Sequence, residues 1–251
     1  MGILKILKNI RKRFSGKVGL EECLKGENVY CAICNKSFLT FLPFGNKKRA
    51  NAQCPSCNSL ERHRLQFMYL KEKTDLLTSR ELKILHIAPE QELYKIFKSL
   101  AECQYFPIDK FTEGYNYPTD VLDMDILNLK FDSNYFDYIF CNHVLEHIPD
   151  DQAAMKELFR VLKPNGKAFL QVPINLNFET TYENKLVFTP EDRIKHYGQF
   201  DHVRWYGQDY GNLLEKAGFI VSKINFIEQL GDNAQFKYGL MEGEELFIAS
   251  K

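Results

Sequence analysis

Four cysteines form the most specific chemical pattern in the sequence. Cys31 and Cys34 make one Cys-x2-Cys pair, Cys54 and Cys57 make a second, and the 19 residues 35–53 separate them. Each pair can present two thiolates from one tight turn, and two such turns can enclose Zn2+ in a tetrahedron. Because four thiolates leave no position for water, the pattern predicts a structural metal site. Iron is the rarer alternative, and free cysteines or disulfides are a third interpretation.

A second pattern lies in residues 136–147, where an apolar run leads into a polar loop that holds Asn142 and His143. Residues 148–166 are predicted to form a helix and a Pro-Asn-Gly turn, and residues 167–173 a second buried strand. Strand, loop, helix and strand in this order indicate one right-handed βαβ unit of a parallel sheet. Ligands bind beyond the carboxyl ends of such strands, so we expect a binding crevice at the polar loop.

Histidines also cluster in a polar and aromatic stretch further along the chain, at residues 196–206. His196, Asp201, His202 and Arg204 could orient or deprotonate a substrate, because an imidazole that titrates near neutral pH suits a general base. The alternative is a hydrogen-bonded network that stiffens a loop over the crevice.

The elements that must position these residues alternate between strands and helices beyond Arg80. The predicted strands are residues 83–87, 104–108, about 120–124, the two strands of the βαβ unit, 219–226 and 245–249. Seven strands with intervening helices, ending in a hairpin, predict a doubly wound α/β sheet with an antiparallel strand at or near one edge.

The composition of the chain restricts which kinds of protein and partner are expected. The chain has 251 residues, of which 45% are hydrophobic, so it can bury one large core beside a small module. Its 33 basic and 33 acidic residues cancel, which gives no overall charge in favour of nucleic acid or an anionic membrane. Lys5 and Lys8 interrupt the apolar positions near the start, so we expect no secretory signal. Seven cysteines in an unsecreted chain fit reduced thiols or metal ligands, and a cytoplasmic protein is expected.

The predicted domain organisation has four parts. Residues 1–20 read as a basic amphipathic helix, residues 27–60 as the cysteine module, residues 61–80 as a connecting helix and residues 81–251 as the α/β domain. The helix within residues 1–17 is expected to pack on the protein or on a partner subunit. Peripheral attachment to the inner face of a membrane is the alternative.

Two longer runs carry a resemblance to a known family. Residues 129–151 contain Asn-His followed by Glu-His-Ile, and residues 160–166 read Arg-Val-Leu-Lys-Pro-Asn-Gly. With these runs, residues 81–251 resemble class I S-adenosylmethionine-dependent methyltransferases, which have a Rossmann-like, seven-stranded sheet. The cysteine quartet and the following Asn-Ser-Leu-Glu-Arg-His-Arg resemble a methyltransferase type 11-like subgroup with an N-terminal zinc-ribbon-like module. The resemblance implies S-adenosylmethionine as cofactor and structural zinc.

The resemblance also implies roles for acidic residues at the strand ends. Asp109 would accept hydrogen bonds from the two ribose hydroxyls, because a carboxylate offers several acceptor sites. Asp125 would bind the exocyclic amine of the adenine, and the backbone amide of Ile126 would face a ring nitrogen. Two alternatives remain: Asp109 as a turn or helix cap, and Asp123 in place of Asp125.

Around the methyl group, the resemblance implies that Asn142 and His143 border the methionine part of the cofactor. The first strand departs from the family pattern, because Ala88 and Glu90 stand where a glycine-rich turn is usual. Ala88 is small enough to let the backbone approach the cofactor, and Glu90 could reach its sulfonium or amino group.

The sequence therefore predicts a methyltransferase that acts on an oxygen or nitrogen atom of a small or glycan-like acceptor, with a sugar hydroxyl favoured. His143, His196 and His202 are the candidate catalytic residues, although positioning alone could supply most of the rate. One alternative is an enzyme that modifies RNA or protein and grips this substrate with its zinc module. The other is a non-catalytic scaffold with a degenerate cofactor site. The oligomeric state is not fixed by these patterns.

Overall fold

The computed structural model describes residues 19–45 and 47–251, which form two compact units. The first unit comprises the described residues up to Lys73 together with residues 226–244, and the second comprises the remainder. The predicted basic helix at residues 1–17 lies outside the described residues. In the described part of the chain, no helix is long and apolar enough to cross a bilayer.

The secondary-structure elements are numbered here in chain order. The strands are β1 (Lys25–Cys31), β2 (Lys36–Phe38), β3 (Leu42–Phe44), β4 (Arg49–Gln53), β5 (Lys83–Ile87), β6 (Gln104–Asp109), β7 (Leu122–Asp123), β8 (Phe136–Asn142), β9 (Leu162–Gln171), β10 (Ile220–Ile224) and β11 (Leu246–Ser250). The helices are α1 (Leu20–Cys23), α2 (Glu61–Lys73), α3 (Gln91–Lys98), α4 (Asp151–Val161), α5 (Pro190–Tyr197), α6 (Tyr210–Lys216), α7 (Phe226–Gln229) and α8 (Ala234–Tyr238). A 3-10 turn covers Leu145–His147.

A seven-stranded sheet with the order β10-β11-β9-β8-β5-β6-β7 forms the second unit. The strands from β9 to β7 in this order are parallel, and β11 is antiparallel to both β9 and β10. The predicted Rossmann-like, doubly wound sheet with an antiparallel strand near one edge is thus confirmed. Strands β6 and β7 follow β5 on one side of it, and β8 then pairs with the other side of β5. This reversal is a topological switch point, where such sheets bind ligands.

The central strands are apolar because both faces of the sheet are covered. Ile139, Phe140 and Cys141 of β8 are fully buried, and α4 packs Ala154 and Leu158 into the same core. The strand β9 begins five residues earlier than expected, at Leu162 instead of residue 167. Its pairing with β8 shifts register across the Pro-Asn-Gly turn, so this turn lies inside the strand as an irregularity.

The first unit joins two antiparallel hairpins, β1–β2 and β3–β4, to residues that come much later in the chain. Arg64 of α2 is fully buried and donates to the carbonyl oxygens of Tyr238 at 2.7 Å and Gly239 at 2.6 Å. It also donates to the Ala52 carbonyl at 2.8 Å. Residues 226–244, which the sequence assigned to the α/β domain, therefore pack in the first unit. The unit boundary follows α2, at residue 73 instead of residue 80.

Candidate functional site

A tight turn follows β5 at the switch point, where the sequence predicts a binding crevice. Ala88 has a φ of 46°, in the left-handed region, and its backbone N–H donates to the Ile108 carbonyl at 2.8 Å. Residues with a side chain rarely adopt this conformation, and alanine adds only a methyl group where the family pattern has glycine. The turn leads directly to Glu90, which is the N-cap residue of α3.

Glu90 and Asn142 connect the ends of the two strands that flank the switch point. The Nδ2 atom of Asn142 donates to Oε2 of Glu90 at 2.7 Å. Asn142 is buried, whereas Glu90 is half-buried. The bond places a carboxylate beside the carboxyl ends of β5 and β8, where the sequence predicted the methionine part of the cofactor. A negative group there suits a sulfonium or an ammonium.

Asp109 ends β6, the strand next to β5, and its carboxylate is half-buried. Burial raises the pKa of Asp109, a hydrogen bond from the Lys110 backbone lowers it, and the nearby charge of Asp123 raises it, with a net upward shift. Asp123 lies beside Asp109 in the register of β6 and β7. A partly desolvated carboxylate with remaining acceptor sites fits a diol such as ribose.

Asp125 and Asp123 each hold a loop at this edge of the sheet. Asp125 accepts from Nζ of Lys110 at 2.8 Å and from the Leu127 backbone at 2.9 Å, and the bond from Lys110 lowers its pKa. Asp123 accepts from the Phe111 backbone at 3.0 Å. The side chain of Ile126 is buried in the core. Both acidic candidates for the adenine contact therefore also stabilise local structure.

His143 leaves β8 in a left-handed conformation with a φ of 54°, and its N–H donates to the Gln171 carbonyl at 2.8 Å. This turn directs the chain into the 3-10 segment. The Nδ1 atom of His143 lies 3.4 Å from Oε1 of Glu146, whose side chain is 1% exposed. Glu146 is not among the predicted site residues, although its spacing of three residues from His143 was a usable signal.

His202 and His147 lie side by side next to this carboxylate. Their ring centroids are 4.7 Å apart and their planes nearly perpendicular, and Nδ1 of His147 lies 3.3 Å from Oδ2 of Asp201. Burial lowers the pKa of His202, so its imidazole is neutral at physiological pH. A neutral buried imidazole can accept a proton or bind a metal.

The other members of the predicted histidine cluster have different partners. His196 in α5 lies 3.0 Å from the Tyr182 hydroxyl through its Nδ1 atom. Arg204 is 1% exposed and donates to the carbonyl oxygens of residues 145, 148 and 149 and to Oε2 of Glu183. The structure thus gives Arg204 the bracing role that was the alternative interpretation of this cluster.

The four predicted metal ligands of the first unit come together as expected. The Sγ atoms of Cys31 and Cys57 are 3.6 Å apart, those of Cys34 and Cys54 are 3.7 Å apart, and all four lie within 4.8 Å of one another. Sulfurs bound to one tetrahedral zinc at about 2.3 Å would be about 3.8 Å apart. Hydrogen bonds from the other three thiols lower the pKa of Cys31. This arrangement could hold a metal ion.

A family model matches the part of the chain around the switch point. Residues 71–170 match a family model described as a methyltransferase domain. A demethylmenaquinone methyltransferase of Staphylococcus epidermidis is 50% identical over 42 residues, which are 17% of each chain. A ubiquinone biosynthesis O-methyltransferase of Coxiella burnetii is 39% identical over 83 residues, which cover 31% of this chain and 35% of the relative. The matched stretches therefore span about a third or less of these relatives.

Solved structures resemble this chain to different degrees. The [4+2]-cyclase SpnF has a TM-score of 0.52 and 15% sequence identity, with 88% of each chain covered. A SAM-dependent methyltransferase from Archaeoglobus fulgidus has a TM-score of 0.45 and 15% identity, covering 77% of this chain and 95% of its own. A fold shared with a protein named as a cyclase does not by itself decide the reaction, so function must be argued from the site.

Proposed function

We propose that the chain is a class I methyltransferase, because residues 71–170 match the methyltransferase-domain model, and that it transfers a methyl group from S-adenosylmethionine to an oxygen or nitrogen atom of a small or glycan-like acceptor. The observation that carries this proposal is the set of polar groups at the carboxyl ends of β5, β6 and β8. Glu90 and Asn142 bond to each other there, and Asp109 ends the neighbouring strand with its carboxylate half-buried.

The residues present fit this cofactor. Asp109 offers acceptor oxygens to a ribose diol, and its burial strengthens the hydrogen bonds that it makes. Glu90 supplies negative charge for the amino or sulfonium group, and Ala88 leaves room for the backbone to approach. Asp125 keeps acceptor capacity for the adenine amine, since each of its oxygens has one partner described above and two lone pairs.

The chemistry of transfer requires little of the protein beyond orientation. When bound, S-adenosylmethionine supplies a methyl carbon on a positively charged sulfur, and attack there forms the acceptor–carbon bond while the carbon–sulfur electrons remain on sulfur. The acceptor proton must leave, and His143 or His202 offers a ring nitrogen that can take it. His196 stays a weaker candidate because its ring nitrogen faces Tyr182.

We further propose that Cys31, Cys34, Cys54 and Cys57 hold structural Zn2+. The sulfur spacing supports this assignment, as does the burial of Cys31 and Cys54 in the small core of the first unit. Because all four positions would be filled by thiolates, this ion would stabilise the fold and take no part in methyl transfer.

A transfer assay tests the proposed reaction. The full chain is incubated with S-adenosylmethionine labelled in its methyl group and with nucleotide sugars, glycans or RNA, and both S-adenosylhomocysteine and the labelled product are measured. We expect label on a sugar or other small acceptor. Label on RNA alone would overturn the acceptor class, and turnover of an acceptor without label transfer would overturn methyl transfer.

Replacement of Asp109 by alanine tests the ribose contact. We expect the affinity for S-adenosylhomocysteine to fall by about 1–3 kcal/mol, or about 5- to 150-fold, because two hydroxyls lose their acceptor. Asp132→Ala is the matched control, since Asp132 is exposed in the loop before β8. Equal affinities for the two variants in a calorimetric titration would remove Asp109 from the site.

The raised pKa of Asp109 also predicts a pH dependence. Acidification protonates this carboxyl at a higher pH than an ordinary aspartate. As the pH is lowered, the affinity of the wild type for S-adenosylhomocysteine should therefore begin to fall at a higher pH than that of a site with a normal carboxyl. Because the folded state raises this pKa, protonation of Asp109 favours folding. The loss of affinity at low pH therefore cannot result from unfolding caused by this group. An Asp109→Ala variant with the same decline above the normal aspartate range would contradict this explanation.

A further inference from the structure

A buried carboxylate in the loop after β8 has an oxygen that the methyltransferase account leaves unused. Glu146 is 1% exposed, and its Oε1 atom faces Nδ1 of His143 at 3.4 Å. Its Oε2 atom is buried and has no hydrogen-bond partner among the described residues. A buried carboxylate oxygen without a partner costs free energy, so such groups are usually paired or coordinate a metal.

Two imidazoles complete a cluster around this carboxylate. Glu146, His147 and His202 each offer a ligand atom, and these atoms all lie within 4.8 Å of one another. Ligands bound to one ion at about 2.1 Å can be up to about 4.2 Å apart, so small side-chain shifts would close the site.

The surrounding contacts leave one ring nitrogen of each histidine available. Nδ1 of His147 lies 3.3 Å from Oδ2 of Asp201, which leaves Nε2 of His147 for an ion. His202 is 7% exposed and its Nδ1 is buried without a partner in the described part of the chain, whereas the ring hydrogen-bonds to the Tyr197 backbone. That bond must then use Nε2. Ligand histidines typically bond in this way through the nitrogen that does not face the metal.

We propose that Glu146, His147 and His202 form a second metal site, distinct from the cysteine quartet, for a divalent first-row transition-metal ion. Two imidazoles and one carboxylate suit manganese, iron or zinc, and the absence of thiolate among the three ligands separates this site from the cysteine site. Three protein ligands leave at least one coordination position open.

The position of this site in the fold suggests its use, and this part of the inference rests on the proposed function. Two of the ligands, Glu146 and His147, lie in the segment that follows Asn142 and His143, at the end of β8 where the cofactor methyl group is expected. A metal ion lowers the pKa of a bound hydroxyl, so an acceptor hydroxyl held there would give up its proton more readily. With His202 bound to the ion, His143 would be the group that takes this proton. The site therefore favours an oxygen acceptor over a nitrogen acceptor.

Manganese is the probe that separates the two sites. Mn2+ binds thiolates weakly, so it should not displace zinc from the cysteine quartet. The full chain, loaded with one equivalent of zinc, is titrated with Mn2+ without cofactor, and free Mn2+ is followed by electron paramagnetic resonance. We expect one Mn2+ per chain in the wild-type protein and about 100-fold weaker binding in Glu146→Gln and His202→Gln.

His196→Gln is the matched control, because His196 lies in the same stretch of chain but bonds to Tyr182, and its Mn2+ affinity should equal that of the wild type. If Glu146→Gln does not fold, His147→Asn replaces a more exposed ligand and should give the same loss of Mn2+ affinity. No Mn2+ binding by the wild type at millimolar concentration, or equal binding by all variants, would overturn the site. A protein that binds Mn2+ but not S-adenosylmethionine would retain the site and lose only the proposed function.

Discussion

Cys54→Ser is expected to release the metal from the cysteine quartet and unfold the first unit. Structural zinc contributes about 10–16 kcal/mol in small zinc domains, which equals or exceeds the whole stability of a typical domain. Cys54 is fully buried beside Val29 and Phe38 in a small core, so few other contacts can compensate for the lost ion. The measurements are zinc content by mass spectrometry and hydrogen exchange of β1 and β4.

Cys23→Ser is the control for this prediction. Cys23 belongs to the same unit but not to the quartet, and the same substitution there should leave zinc content and exchange unchanged. The seven-stranded sheet is expected to keep its protection in both variants, because its core is built from other residues. A Cys54→Ser protein with one full equivalent of tightly bound zinc would contradict the four-cysteine site.

Arg204→Met is expected to destabilise the second unit by about 3–5 kcal/mol. Its guanidinium donates to the carbonyl oxygens of Leu145 and Pro149 at 2.9 Å each and pairs with Glu183 at 2.8 Å. Burial opposes its charge, but Tyr206, Asp151 and Glu183 together raise its pKa. Methionine keeps the approximate length of the side chain while it removes every donor, so the buried carbonyl groups and Glu183 lose the hydrogen bonds from the guanidinium, and Asp151 loses a nearby positive charge. Denaturant unfolding followed by circular dichroism measures the change.

The matched control is Arg80→Met, which removes an exposed ion pair between Arg80 and Glu102 and should cost less than about 1 kcal/mol. Arg204 also holds the segment that carries Glu146 and His147, so Arg204→Met should weaken Mn2+ binding, whereas Arg80→Met should not. Equal stability of the two variants would show that the buried guanidinium contributes no more than a surface charge.

Much of the sheet could be predicted because its strands carry strong local signals. Strand β5 is a short apolar run, β6 and β8 end at the polar residues Asp109 and Asn142, and the family resemblance then indicated the type of sheet. The position of residues 226–244 could not be predicted, because it depends on hydrogen bonds from Arg64 to carbonyl groups about 175 residues away in the chain. A buried arginine that bonds to backbone oxygens leaves no periodic pattern in the sequence.

The candidate site was predictable where it depends on strand ends and not where it depends on loops. Asp109 and Asn142 terminate strands, so their placement follows from the topology. The pairing of His202 with His147 brings together residues that lie 55 positions apart, and the path of the loop after β9 decides it. The same loop separates His196 from Arg204 by giving each its own hydrogen-bond partners.

The most direct test of the central claim is a calorimetric titration of the zinc-loaded full chain with S-adenosylmethionine and with S-adenosylhomocysteine. The crevice formed by Asp109, Glu90 and Asn142 predicts micromolar binding of one molecule per chain. No binding of either compound at millimolar concentration would contradict the cofactor assignment, and the non-catalytic scaffold would then be the better description.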